Sequence, residues 1–102
     1  MMGNSIRCLH AIEKDRPDSR ERSIYLMTNA ADVSKLALKM KKFPDDEEAY
    51  KADLRLALGD VFIQTALMCL DVGFNPSDIY NLGIQHVKER FQERGLTDHN
   101  RQ

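Results

Sequence analysis

An all-α fold is predicted for this chain, bundle-like, with four helices of which two are long and central, completed by dimerisation. Three observations predict it. Breaks at Arg16-Pro17-Asp18-Ser19, Phe43-Pro44-Asp45-Asp46 and Val72-Gly73-Phe74-Asn75-Pro76 cut the chain into four pieces. Between the breaks apolar residues recur at helical spacing, with no strand-like alternation, repeat or low-complexity run. From Leu54 onward the piece between the second and third breaks is apolar on nearly every side and carries one acid, Asp60, in its body.

The first piece, Ser5–Lys14, places Ile6, Cys8, Leu9 and Ile12 near one face; a helix this short needs docking to persist. The second, Ser19–Lys42, opens with Asp18 or Ser19 as N-cap, with Glu21 suited to the positive helix end and Arg22 opposed to it. Its expected apolar stripe is Ile24, Met27, Ala31 and Leu38, flanked by Val33, Leu36 and Met40. Lys39, Lys41 and Lys42 complement its C-terminus. The third, Asp46–Val72, begins with the acids Asp45 to Glu48 and stops at Gly73 as C′ residue. The fourth has Asn75 as N-cap, Pro76 at the first helical position and Gly95 as its end; Ile79, Leu82, Val87 and Phe91 are its expected buried face. Leu96–Gln102 is polar, and fraying is expected there.

The third helix carries the oligomer argument. Leu54, Leu56, Leu58, Val61, Phe62, Ile63, Leu67 and Leu70 go most of the way round it. A helix apolar on most sides must be covered on most sides. Three other helices in 102 residues hardly suffice, so a homo-oligomer is expected, most simply a two-fold dimer with this helix near the interface; a four-helix monomer is the alternative.

The chain is long enough for one domain, spanning 1–102. With 15 basic and 16 acidic residues it has no basic excess to favour a nucleic-acid partner. No apolar run approaches the roughly 20 residues of a membrane span. Met1–His10 lacks the apolar core of a signal peptide, so a cytoplasmic setting is expected, with Cys8 and Cys69 reduced and mostly buried rather than bridged.

Asp32-Val-Ser-Lys-Leu-Ala, an acidic loop, Leu54-Arg-Leu-Ala-Leu-Gly-Asp-Val-Phe and then Gly73-Phe-Asn-Pro together resemble the MazG-type, all-α nucleoside triphosphate pyrophosphohydrolases. The resemblance covers Ile24–Arg94 and rests on order and spacing rather than on one specific stretch. It implies a helical bundle, usually oligomeric, in which Mg²⁺ held by acids on two neighbouring helices directs water onto a nucleotide and releases pyrophosphate. The family pattern, Glu-Glu-x-x-Glu followed by Glu-x-x-Asp, falls on Ala31, Asp32 and Lys35 and then on Ala57 and Asp60. Two carboxylates remain as candidate metal ligands, Asp32 and Asp60; two positions are Ala and one is Lys.

Residues three apart share a helix face, so two such pairs can surround one hard cation. One or two carboxylates can still hold Mg²⁺ together with water and phosphate. An ammonium at position 35 opposes a divalent ion. The preferred expectation is a buried Asp32–Lys35–Asp60 cluster in place of the metal, with Lys35→Ala costing roughly 3–5 kcal/mol; the alternative sends Lys35 into solvent. The chain then reads as a catalytically impaired nucleotide-binding or interaction module. An active Mg²⁺-dependent hydrolase with a reduced site, or a purely structural helical dimer, are the alternatives. Asp53 lies roughly 10 Å along the helix from Asp60, too far to share one ion. Glu47 and Glu48 suit the helix end better than a metal.

On the last helix Lys88 and Arg94, with Arg90 nearby, are candidate phosphate contacts, against a solvated face interleaved with Glu89 and Glu93. His10, His86 and His99 have no metal-ligand spacing. No nucleophile motif, phosphate-cradling glycine loop or dinucleotide fingerprint is present.

Overall fold

The computed structural model describes residues 2–95: α1 (Met2–Ile12), α2 (Ser19–Lys42), a 3₁₀ turn (Pro44–Asp46), α3 (Glu47–Asp71) and α4 (Pro76–Glu93). All described regular structure is helical. The expectation of a frayed Leu96–Gln102, and His99 with it, lies outside the described residues.

Local chemistry sets the helix ends. Asp18 caps α2 by accepting from Glu21 N at 2.8 Å, and the Glu21 carboxylate accepts from Asp18 N at 3.3 Å, a reciprocal box. At the C-terminus of α3, Gly73 adopts φ +85°. Its N–H donates to the Leu70 carbonyl at 3.1 Å and the next N–H, of Phe74, to that of Cys69 at 2.7 Å. This paired ending satisfies two orphan carbonyls and needs a residue free to take positive φ. Asn75 then caps α4 by accepting from Ser77 N at 2.9 Å, and Gly95 at φ +68° follows its end.

α2 and α3 form an antiparallel hairpin, the dominant packing of the chain. Their facing residues repeat at alternating steps of four and three. On α2 these are Arg22, Leu26, Asn29, Val33, Leu36 and Met40; on α3, Tyr50, Leu54, Ala57, Val61, Gln64, Met68 and Asp71, all buried or half-buried. That is the spacing of a coiled-coil seam. The register is pinned at both ends: Arg22 meets Gln64 and Asp71, and Phe43 stacks obliquely on Tyr50 with centroids 6.3 Å apart.

The seam corrects one expectation. Ile24, Met27 and Leu38 are exposed, as is Ala31. At 100° per residue this stripe lies opposite the face that meets α3. α2 has apolar residues on two sides but one neighbour, and the face carrying Arg22 takes that neighbour.

α1 packs on the C-terminal half of α3, with Ile6 buried beside Cys69. Cys8 is exposed, contrary to the expectation of two mostly buried thiols, and both cysteines are free. α4 stands off. The chain turns by 115° between the segments Pro44–Asp71 and Pro76–Glu93, where a bundle hairpin turns by roughly 160°. Phe62 on α3 is 68% exposed, and Tyr80, Leu82, Ile84, Val87 and Phe91 on α4 are exposed as well. Among the described residues no single helix is long and apolar enough to cross a membrane.

Candidate functional site

Asp32 and Asp60 each precede a seam residue, Val33 and Val61. In an antiparallel hairpin such positions lie on the same flank, and the register set by Arg22–Asp71 and Phe43–Tyr50 brings them to about the same level. Ala57 is buried in the seam itself; Ala31 points away from α3. Lys35 also projects outward and is exposed, as are Asp32 and Asp60. Among the described residues no ion pair joins these three side chains, and no group of three or more His, Cys, Asp or Glu is disposed to hold a metal. The buried Asp32–Lys35–Asp60 cluster is therefore not formed. Position 35 lies roughly 140° round α2 from the seam, so its four-carbon stem starts on the wrong side of the helix to reach between the two carboxylates. Lys35 instead helps line a shallow depression at the end of α2, together with Leu38, Lys39, Lys41, Lys42 and Phe43.

The buried charge cluster of this protein lies elsewhere, around Arg22, which is 0% exposed. From α2 its guanidinium reaches α3 and the end of α1. Nε donates to Asp71 Oδ2 at 2.8 Å at the end of α3. Nη2 and Nη1 donate to the two Glu13 carboxylate oxygens at 2.6 and 2.8 Å, just beyond α1. Nη1 also donates to Gln64 Oε1 at 3.2 Å. His10 Nε2 meets Asp71 Oδ1 at 2.7 Å from α1, and Arg16 donates to the His10 carbonyl. No buried side-chain N or O among the described residues lacks a partner. The Arg22 hydrogen bonds hold both the Asp71 and the Glu13 carboxyl below their ordinary values against the opposing effect of burial, and His10 adds to this at Asp71. Glu13, and then Asp71, raise Arg22 further above its ordinary value. Every donor is matched, which makes this a structural latch that ties α1, α2 and α3 together. Sequence reasoning missed it because Arg22 sits in the first turn of a helix, where a cation looks misplaced; the step of four from Arg22 to Leu26 was the available signal.

A groove of about 880 Å³ opens between α3 and the splayed α4. Phe62 and Cys69 form part of its α3 wall, Ile79, Gly83 and Phe91 part of its α4 wall, and Ile6 of α1 contributes to its lining. Its one charged lining residue is Lys88. Burial raises the Cys69 thiol above its ordinary value, so it is a poor nucleophile there. Of the residues expected to form the buried face of α4, Ile79, Val87 and Phe91 line this groove, while Leu82 is 65% exposed outside it.

Lys88 thus lies on the side of α3 roughly opposite the flank that carries Asp60, and Arg94 is the exposed C-cap of α4. The fold does not gather the two candidate phosphate contacts and the two candidate metal ligands into one site within a single chain. In comparisons with known proteins no family model matches this chain, and no curated protein or solved structure does either.

Proposed function

We propose that this chain is a divergent, MazG-like helical interaction module, homo-oligomeric and impaired in nucleotide hydrolysis. The observation that carries the reading is the apolar groove between α3 and α4, with a single charged residue in its lining. Concave, apolar surface of this extent on a small chain marks a place where another molecule sits. The depleted ligand set supports the hydrolytic impairment: Ala31, Lys35 and Ala57 stand at three of the positions that carry acids in the family the sequence resembles.

A second reading, a Mg²⁺-dependent pyrophosphohydrolase with a reduced site, is favoured by one observation. Asp32 and Asp60 share a flank and a level of the hairpin, where one ion could meet both with water and phosphate completing its shell. The two readings separate in one assay. The chain is incubated with Mg²⁺ and a panel of nucleoside triphosphates, and pyrophosphate is measured. The interaction-module reading predicts no release above a blank. Release that Asp32→Ala or Asp60→Ala abolishes establishes the hydrolase instead.

A further inference from the structure

We infer that the α3–α4 groove is filled by α4 of a second copy of this chain, in a closed two-fold pair; this rests on the interaction-module reading and names its partner. The surface area sets the scale. The chain exposes 8049 Å², about a third more than the ~5,900 Å² of a compact protein of its mass. The excess is more than twice the ~800 Å² that a standard interface takes from each partner. The radius of gyration is 16.8 Å, against ~13 Å for a compact chain of about 100 residues. Exposed apolar residues on both sides of the α3–α4 opening, Leu58 and Phe62 on α3 and Tyr80, Ile84, Val87 and Phe91 on α4, contribute to this surplus.

The shape of the vacancy selects the occupant. A groove of about 880 Å³ holds roughly two turns of a helix ~10 Å across. Its walls are almost wholly apolar, so the guest must present an apolar helical stripe. α4 carries one: Tyr80, Ile84, Val87 and Phe91 follow helical spacing and are exposed. Groove and guest stripe then lie on the same element, so two copies satisfy one another about a two-fold axis and no open surface is left to propagate. Electrostatics agrees. A net charge of −1 gives two copies little reason to repel, and Lys88 alone gives a strongly charged partner little to hold.

Gly83 marks the point of closest approach. It lies in the middle of α4, lines the groove, and would meet nothing within 4 Å if it carried a Cβ. A helix-interior glycine that the chain's own packing does not require is accounted for when a second backbone crosses there. The outward stripe of α2 is a competing surface, but it is interleaved with charge and carries no such glycine.

Sedimentation velocity over a concentration series tests the pairing in the 102-residue chain, with Gly83→Leu, Ile84→Asp and, on the α2 stripe, Met27→Asp. Wild type is expected to dimerise, Gly83→Leu and Ile84→Asp to weaken dimerisation by ~30-fold or more, and Met27→Asp to leave it unchanged. Gly83→Leu replaces a poor helix former in open space, so its circular dichroism should show helix content at or above wild type; weakened pairing then cannot be ascribed to misfolding. A dimer that Met27→Asp breaks and the α4 variants spare overturns the groove assignment while leaving the interaction-module reading intact. A wild type that stays monomeric overturns the pairing and, with it, the homo-oligomeric part of the proposed function. Pyrophosphate release bears on the underlying reading alone.

Discussion

Arg22 and Lys35 are two cations on one helix with opposite consequences. Arg22 is sealed between three elements, its fork satisfied by Glu13, Gln64 and Asp71. Replacing it strands buried acceptors on two other elements, so Arg22→Ala should cost about 3–5 kcal/mol in chemical denaturation. Glu13 keeps some contact with water, which favours the lower end. Lys35→Ala removes an exposed side chain with no hydrogen bond or ion pair and should stay within about 0.5 kcal/mol. The same latch sets the response to acid. Asp71 and Glu13 are both held below their ordinary values, so the stability they supply is fully present above the usual carboxylate range. It should be lost as the pH falls through about 4 towards their lowered folded values, and these two groups add no slope between about pH 5 and 8. Thermal melts of wild type and Arg22→Ala across this range check the sign: the acid-side loss should be much smaller in the variant.

At the scale of the helix, most of the fold was legible and the facing of α2 was not. Pro17, Pro44 and Pro76 mark the breaks, and Asp18, Gly73 and Asn75 carry capping chemistry that depends on neighbours within four residues. Local interactions of this kind are visible in a sequence. The face of α2 that meets α3 depends on a residue 49 positions away, because the Arg22–Asp71 contact chooses it. A reading that weights only apolar residues selects Ile24, Met27, Ala31 and Leu38, the face left in solvent. The candidate site failed in the same way. Asp32 and Asp60 lie on facing helices, but the direction of Lys35 follows from the seam, and the seam from the latch. Gly59 offers a check at this scale. It lies inside α3, and a Cβ there would meet nothing within 4 Å. Gly59→Ala should stabilise the chain by up to ~1 kcal/mol, read as a raised denaturation midpoint with an unchanged slope.

At the scale of the molecule, a latched pair of long helices forms a body from which α4 projects. α1 is pinned by Glu13 and His10 and helps line the floor of the groove through Ile6. α3, expected to be covered on nearly every side, is covered only in part, by α2 along the seam and by α1 near its C-terminus, and Leu56 is exposed. Leu58 and Phe62, facing α4, stay bare in the single chain. A thin core of this kind gains most from association, because a 102-residue chain buries a limited share of its own surface. The apolar surface left open on α3 and α4 is the surface that the proposed pairing would cover.

The most direct test is the mass of the unmodified chain in solution, by light scattering on a size-exclusion column at tens of micromolar. Our account predicts a species of twice the 11.7 kDa chain mass, shifting towards the single chain on dilution. A lone 11.7 kDa species at every concentration would contradict it.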